Sequence, residues 1–233
     1  MLPVQYSDLS FILFLSGLVA LDTTAVGQIL LSQPLFSCPL LGFCLGDLQT
    51  GVYIGLLMEL LWLKLVPIGG AIFYEGNIGS FTTTGVAILS LRTILDQTGL
   101  VLLFSIIYGF SISYLGGQFT IIIRKLTQLI VNKTLARAMN GHVGSITYGH
   151  LGSIAVTFVG GCIFGTIAIL IGSLLLPRLL ATIPESGNQI ALIGVMALWG
   201  TGIGMVLSMF WEARKSWALI GGILLGLAGS LLL

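Results

Sequence analysis

Residues 151–176 read LGSIAVTFVGGCIFGTIAILIGSLLL, a run of 26 residues without a charged side chain. A helix needs about 20 apolar residues to cross roughly 30 Å of hydrocarbon, so this run is long enough to span a bilayer. The whole chain has the same character, because 56% of its 233 residues are hydrophobic and only 7% are charged. Soluble domains carry about 25% charged residues. The composition therefore excludes soluble enzymes, nucleic-acid-binding proteins and disordered regulators, and it indicates a polytopic membrane protein.

The lengths and flanks of the apolar runs predict six spans and a closing run. These are Leu9–Val26, Thr50–Leu65, Phe81–Leu91, Leu100–Ile123, Leu151–Leu176 and Gln189–Phe210, followed by Trp217–Leu233. We expect an all-α fold with about six to eight spanning segments in a single membrane domain, 1–233. It is predicted to contain a broken-helix substrate region (20–80), a cytoplasmic segment (124–150) and long packing helices (151–233).

The N-terminal third differs from the rest because its apolar runs are short and interrupted. Thr50–Leu65 has only 16 residues, and the preceding apolar stretch contains Pro34, Pro39, Gly42 and Gly46. Lipid offers the backbone no hydrogen bonds, so broken or re-entrant helices survive only inside protein or beside a water-filled cavity. Short segments interrupted by Gly and Pro therefore predict the substrate site of a transporter.

One substantial polar segment, Arg124–His150, separates two long apolar runs. It carries Arg124, Lys125, Lys133 and Arg137 and contains no acid. Basic residues accumulate in the cytoplasmic segments of membrane proteins, so this one is predicted to lie in the cytoplasm. Following the chain from there, Pro177–Asn188 is external, Glu212–Ser216 is cytoplasmic and the C-terminus lies outside.

Glu59 is the most informative polar residue because it stands in the apolar run 55–62, GLLMELLW. A central membrane acid costs about 2.5 to 3.5 kcal/mol on insertion scales, which indicates function. Trp62 follows at i+3 and shares the helix face of Glu59. A carboxylate beside an aromatic ring suits a sugar, since the carboxylate accepts hydroxyl hydrogen bonds while the ring packs against C–H groups. The alternative is that Glu59 is protonated or bonds a backbone N–H freed by Pro67.

Other polar residues of the same region are also candidate sugar ligands. Asp22, followed by Gln28, ends the first span and either caps the next helix or contacts the substrate. Gln33 offers both a donor and an acceptor, which matches a neutral polyol, unless its amide bonds the broken backbone. Glu75 and Asn77 lie in a flexible polar cluster at a helix break, for which the alternative is a plain loop.

Several further residues are expected to be structural. Asp47 is predicted to cap the helix that contains Thr50. His142 and His150 are interpreted as loop residues, since no acid or cysteine accompanies them at metal-binding spacing. The three cysteines are interpreted as small buried hydrophobes; they are Cys38, Cys44 and Cys162. We therefore expect no metal, no cofactor and no catalytic residue on this chain, which also lacks a Walker-type phosphate loop.

Blocks of the N-terminal third resemble the membrane subunit IIC of the mannose/fructose/sorbose family of sugar phosphotransferase systems. The blocks are 21–28 (LDTTAVGQ), 32–35 (SQPL), 45–51 (LGDLQTG), 55–62 (GLLMELLW) and 67–71 (PIGGA). They occur in the family's order and at closely similar spacing over about residues 20–80. Beyond residue 90 only hydropathy and size agree.

The resemblance implies a permease subunit in the inner membrane of a bacterium that moves a hexose-type sugar. It also implies a second membrane subunit, IID, and soluble IIA and IIB subunits that pass a phosphoryl group through histidines to the arriving sugar. Carried over by position, Gln33, Glu59 and the cluster Glu75–Asn77 would line the sugar pocket. The chain departs from the family at Phe73-Tyr74-Glu75, where relatives often have Pro-Asp or Pro-Pro-Asp-Glu.

Two other functions remain open from the residues alone. A cation-coupled secondary transporter would use Asp22 or Glu59 as its proton or sodium site. A non-transporting regulatory relative would dock soluble phosphotransferase subunits through Arg124–His150. The family blocks favour the group-translocating permease over the cation-coupled transporter.

Overall fold

The computed structural model describes residues 5–64, 74–94, 96–184, 186–212, 217 and 220–222. Within these residues the chain is all-α, as predicted. The helices are α1 (Tyr6–Thr24), α2 (Pro34–Cys44), α3 (Leu48–Trp62), α4 (Gly76–Leu91), α5 (Thr98–Met139), α6 (Ser145–Leu180) and α7 (Ser186–Glu212). The block at 67–71 and most of the closing run at 217–233 lie outside the described residues.

Four of these helices, α1, α5, α6 and α7, are long and apolar enough to cross a membrane. The prediction of broken helices in the N-terminal third is confirmed by α2 and α3, which have 11 and 15 residues. At 1.5 Å per residue they are about 17 and 23 Å long, shorter than the hydrocarbon layer. Helix α2 begins with Pro34, whose missing N–H costs nothing at a first helical position.

Helices α2 and α3 form a tightly packed antiparallel hairpin. A Cβ on Gly51 of α3 would lie 2.6 Å from the Cys38 carbonyl oxygen of α2. The connecting turn contains Gly46 at φ +79°, a conformation that glycine adopts without strain. Asp47 follows and caps α3 by accepting a hydrogen bond from the Thr50 N–H at 3.0 Å, which confirms its predicted role.

Helix α4 forms the centre of the bundle. Every residue from Ile78 to Ser90 is buried, and α4 contacts α1, α2, α3, α5 and α6. Three of its hydroxyl groups donate to carbonyls one turn earlier, as Thr83 does to Gly79 at 2.9 Å. The predicted span Phe81–Leu91 therefore began five residues too late. The preceding segment looks too polar for lipid, but here it is surrounded by protein.

The polar segment 124–150 is helical over most of its length. Helix α5 continues past Ile123 to Met139, and α6 begins at Ser145. The two helices form an antiparallel arm, here defined as residues 124–150. The interpretation of His150 as a loop residue was wrong, because it lies in α6. A hydropathy change marks where lipid contact ends, whereas good helix formers such as Leu, Arg, Lys and Gln continue the helix in water.

The opposite end of the bundle is held together by Arg92, which follows α4. Its guanidinium contacts the Asp8 carboxylate at the start of α1 at 2.6 Å. The same group donates to the Leu45 carbonyl oxygen, at the end of α2, at 2.5 Å. Asn188 of α7 accepts from the Leu100 N–H near the start of α5 at 3.2 Å. The start of α1 therefore lies at the end of the bundle remote from the arm.

This arrangement predicts a topology. Asn132 on the arm and Thr182 after α6 are both exposed and lie at opposite ends of the bundle. In intact cells, an impermeant maleimide should label Thr182→Cys. It should label Asn132→Cys only after permeabilisation, because the basic residues of the arm predict that it lies in the cytoplasm. The unmodified chain, with Cys38 and Cys162 buried and Cys44 half-buried, gives the background. Labelling of Asn132→Cys alone in intact cells would reverse the orientation.

The close approach of α2 and α3 predicts a destabilising substitution. The added Cβ of Gly51→Ala meets a backbone carbonyl, which cannot move without opening the hairpin. Overpacking of this kind costs about 1–3 kcal/mol, so the melting temperature and yield of detergent-purified protein should both fall. Gly200→Ala is the matched control, because no atom lies within 4 Å of its added Cβ. An equal effect of the two substitutions would contradict the packing explanation.

Candidate functional site

Asp22 organises the loop that connects α1 to α2. Its carboxylate is buried, with 6% exposure, and accepts hydrogen bonds from the Ile29 and Ser32 N–H groups, both at 2.8 Å. Gln28 and Leu30 in this loop have φ values of +49° and +71°. Left-handed backbone costs about 1–2 kcal/mol at a non-glycine residue. The two hydrogen bonds from Asp22 stabilise this conformation.

Asp22 does not cap α2, the structural alternative predicted for it; its carboxylate binds N–H groups of the preceding loop instead. Pro34 occupies the first turn of α2 and has no N–H to donate. Gln28 is exposed in the same loop. Gln33 is the N-cap residue of α2, and its backbone carbonyl accepts from the Ser37 N–H at 2.9 Å. Its half-buried side chain makes no capping bond.

Asn77 joins the start of α4 to the end of α1. Its amide nitrogen donates to the Ser32 hydroxyl at 3.2 Å and to the Thr23 hydroxyl at 3.5 Å. Ser32 also donates its N–H to Asp22. Asp22, Thr23, Ser32 and Asn77 therefore form one polar junction between α1, the loop and α4, although Asp22 and Asn77 are 55 positions apart in the sequence.

Glu59 stabilises the start of α2. Its carboxylate accepts a hydrogen bond from the Leu35 N–H at 3.2 Å, in the first turn of that helix, where unpaired N–H groups carry partial positive charge. This arrangement resembles the structural alternative raised for Glu59, with a different N–H group as donor. The region around Pro67 lies outside the described residues.

Trp62 packs into the bundle. Its indole N–H donates to the Ser80 hydroxyl of α4 at 3.0 Å. Its ring meets Phe110 of α5 edge-on, with 5.3 Å between ring centroids. A Cβ on Gly76 would lie 2.9 Å from the ring. The Trp62 ring is therefore fixed against α4 and α5, while Glu59 interacts with α2.

Glu75 lines a small cavity between α1, α4, α5 and α6. The side chain is buried, with 8% exposure, and its carboxylate accepts from the Thr120 hydroxyl at 3.4 Å. We call this space the inner cavity; it has a volume of about 40 Å³. Its other polar lining residues are Thr23, Thr24 and Thr157, and its aromatic ones are Phe119 and Phe164. The two rings stack with 4.7 Å between centroids.

The inner cavity adjoins a larger opening, which we call the outer cleft. The cleft has a volume of about 520 Å³ and lies between α5 and α6 at the base of the arm. Thr24, Thr120, Ile123 and Thr157 line both spaces. Small-molecule sites typically measure about 300–1,000 Å³. The inner cavity alone is below that range, whereas the outer cleft falls within it.

Sequence reasoning placed polar sites only within residues 20–80 and missed the contributions of α5 and α6. Both helices contain long apolar runs, so their threonines were interpreted as part of ordinary packing helices. A usable signal was present in the spacing. Thr120, Thr127 and Thr134 are seven residues apart, which places them on one helix face.

Comparison with known proteins gives a consistent match. Residues 8–229 match the family model EII-Sor, described as PTS system sorbose-specific iic component. The chain is 26% identical over 171 residues to the PTS system mannose-specific EIIC component of Escherichia coli K12, covering 70% of this chain and 61% of that protein. It is 35% identical over 85 residues to the putative N-acetylgalactosamine permease IIC component 2 of the same organism, covering 36% of this chain and 61% of that protein. Each match thus covers about three fifths of its curated relative.

Two solved structures share the fold. One, described only as the structure of a membrane protein, superposes with a TM-score of 0.72 at 21% identity, covering 98% of this chain and 94% of the other. The second is a cryo-electron microscopy structure of the mannose transporter ManYZ in complex with microcin E492. It gives a TM-score of 0.56 at 21% identity and the same coverage.

The hydrogen bonds of Asp22 predict a loss of stability on amide substitution. Asp22→Asn retains one acceptor oxygen for the half-buried Ile29 N–H and the buried Ser32 N–H, so one of them loses its partner. An unsatisfied buried group costs about 1–3 kcal/mol, and the melting temperature of the purified protein should fall accordingly. Asp96→Asn is the control, because Asp96 is exposed. Equal melting temperatures for the wild type and Asp22→Asn would show that the loop does not depend on this carboxylate.

Proposed function

The chain belongs to the family of sorbose-specific IIC components of the phosphotransferase system, whose model matches residues 8–229, and from that premise we propose that it is a membrane permease subunit. In this proposal it carries a hexose-type sugar across the inner membrane of a bacterium. The sugar is phosphorylated on the cytoplasmic side by a soluble IIB subunit.

The composition of the inner cavity is the observation that best supports a sugar as substrate. The Glu75 carboxylate accepts hydrogen bonds from hydroxyl groups, and Thr120 beside it both donates and accepts. The stacked rings of Phe119 and Phe164 offer an apolar wall for sugar C–H groups. This combination of carboxylate and aromatic rings was predicted at Glu59 and Trp62, and it occurs at Glu75.

We assign direct sugar contact to Glu75, with the hexose extending from the inner cavity into the adjoining outer cleft, because the inner cavity alone has a volume of only about 40 Å³. Asp22 and Asn77 position the wall of the inner cavity through Thr23, which Asn77 contacts. The other four candidates, Gln28, Gln33, Glu59 and Trp62, lie on or beside the α2–α3 hairpin and are not part of the inner-cavity lining. They remain predicted sugar ligands, which a hexose reaches if the hairpin moves during transport.

We propose that the permease works with a IID membrane subunit, in a higher oligomer, and with cytoplasmic IIA and IIB subunits. Two observations support this assembly. One structural neighbour is the two-component transporter ManYZ. In addition, only 17% of the residues in an apolar 18-residue stretch of α7 are buried within this chain. The exposed side chains of α7 include Ile193 and Met196. Such a face suits lipid or a second membrane subunit.

Sugar affinity of the assembled complex tests the site. Hydrogen bonds to charged groups contribute about 1.5–3 kcal/mol, and each 1.4 kcal/mol is a factor of ten. Glu75→Gln should therefore weaken sugar binding by about tenfold to a hundredfold while the complex still assembles. Glu59→Gln should instead lower the amount of assembled complex, because it weakens the bond to the Leu35 N–H. Sugar binding and complex yield are measured on the same preparations.

The reverse result would assign the sugar site to a different part of the structure. A loss of affinity in Glu59→Gln at normal yield, with unchanged affinity in Glu75→Gln, would place the sugar at the α2–α3 hairpin. The alternative of a cation-coupled transporter is separated by uptake assays. Sugar uptake driven by a proton or sodium gradient, without phosphorylation of the product, would contradict the proposed group translocation. Normal complex assembly without any sugar binding would support the regulatory alternative.

A further inference from the structure

The outer cleft differs in chemistry from the inner cavity. Two basic side chains line it, Arg124 of α5 and His150 of α6, and no acid is among its described lining residues. Six hydroxyl groups complete the polar wall, from Thr24, Thr120, Thr127, Thr134, Ser153 and Thr157. The acid of the neighbourhood, Glu75, lines the inner cavity. The carboxyl group and the two basic side chains therefore line different spaces.

Arg124 is far enough along α5 to lie beyond the hydrocarbon layer. It is 26 residues beyond the first residue of α5, which is about 39 Å along a helix, and the hydrocarbon layer is about 30 Å thick. Both Arg124 and His150 are exposed. A water-soluble anion in the cytoplasm therefore has access to both side chains, provided that the arm is cytoplasmic as the basic residues predict.

This set of groups matches a phosphate ester better than a neutral sugar. A guanidinium forms two parallel hydrogen bonds with phosphate oxygens, and an imidazole N–H supplies a further donor. The hydroxyl groups of Thr120, Thr127, Thr134, Ser153 and Thr157 already donate within the protein, so their oxygens accept from the hydroxyl groups of a sugar ring. The volume of about 520 Å³ lies within the range of small-molecule sites. An anionic lipid headgroup also offers a phosphate, but six hydroxyl groups suit a hydroxylated ligand rather than an acyl chain.

We propose that the outer cleft binds the phosphorylated sugar as it leaves the inner cavity, with its phosphate at Arg124 and His150. This inference rests on the proposed function, in which a sugar phosphate is the product. The two basic side chains line only the outer cleft, so the sugar ring lies toward Thr120 and the phosphate lies toward the arm. The basic cleft thus favours departure of the product into the cytoplasm over its return to the inner cavity.

Binding measurements on the assembled complex test this site. The complex is placed in phosphatidylcholine nanodiscs, and isothermal titration calorimetry is performed with a hexose 6-phosphate, the free hexose and inorganic phosphate. Arg124→Gln should weaken binding of the hexose phosphate by about tenfold to a hundredfold and change free-hexose affinity by less than about threefold. Arg124 also acts electrostatically on Glu75, and the free-hexose measurement on the same variant isolates that effect.

Matched variants guard against a merely structural effect. Lys125→Gln removes the neighbouring charge, which is exposed and outside the cleft lining, and should bind the hexose phosphate as the wild type does. Arg124→Lys keeps the charge and should recover part of the affinity. Thr127→Val removes one hydroxyl at nearly constant volume and should weaken binding by a smaller factor than Arg124→Gln. Arg124→Lys and Thr127→Val test the site if the complex with Arg124→Gln fails to assemble.

The outcomes separate the inference from the proposed function. If the wild type, Arg124→Gln and Thr127→Val bind the hexose phosphate equally, the inference is wrong. Binding of the free hexose in the same experiment would still support the proposed function. Loss of hexose-phosphate binding when phosphatidylglycerol is added, at constant free-hexose affinity, would reassign the cleft to a lipid headgroup. Absence of binding by either sugar in a complex that assembles normally would contradict the proposed function itself.

Discussion

Backbone hydrogen bonding inside a membrane is the constraint on which this structure depends. Lipid cannot accept or donate hydrogen bonds, so each helix end at membrane depth must find its partners within the protein. Three acidic residues supply them in the N-terminal third. Asp22 binds two N–H groups of the loop before α2, Glu59 binds one in the first turn of α2, and Asp47 binds one at the start of α3.

The same constraint explains the position of α4. Ser80, Thr83 and Thr84 donate to carbonyl groups of the same helix, and protein rather than lipid surrounds this polar segment at the centre of the bundle. The surrounding helices reach it because glycines replace larger side chains at the contacts. At Gly79 and Gly109, which lie between α4 and α5, an added Cβ would collide with the opposite helix. Close helix packing of this kind stabilises membrane proteins where the hydrophobic effect is weak.

The residues of the candidate site lie where the broken helices of the N-terminal third meet the long helices. The polar junction at Asn77 and the inner cavity at Glu75 both adjoin the end of α1, and α5 and α6 continue from there into the arm. In the predicted topology, a sugar site at this end is close to the cytoplasm, where the proposed phosphorylation occurs. In the proposed function, Glu75 of the inner cavity binds the neutral substrate, and the basic side chains of the outer cleft bind its charged product.

The order of apolar runs, the interrupted N-terminal third and the family blocks at 21–71 were sufficient to predict an all-α IIC-type membrane protein from the sequence. These features were readable because hydropathy and Gly or Pro content act locally along the chain. The Asp47 cap was predictable for the same reason, since it joins residues three positions apart. Asp22 and Glu59 were identified as unusual, but their bonding partners lie seven, ten and 24 positions away.

Only the tertiary structure decided which polar residues share a site. Glu75 meets Thr120 across 45 positions, and the aromatic wall comes from Phe119 and Phe164, on two helices that hydropathy marks as ordinary spans. The length of α5 was also undetermined, because the end of an apolar run marks the edge of lipid and not the end of a helix. Sequence by itself fixed the class of protein and the segment to inspect, since both follow from local composition. The location of the cavity required the helix packing, because no local pattern records which distant faces come into contact.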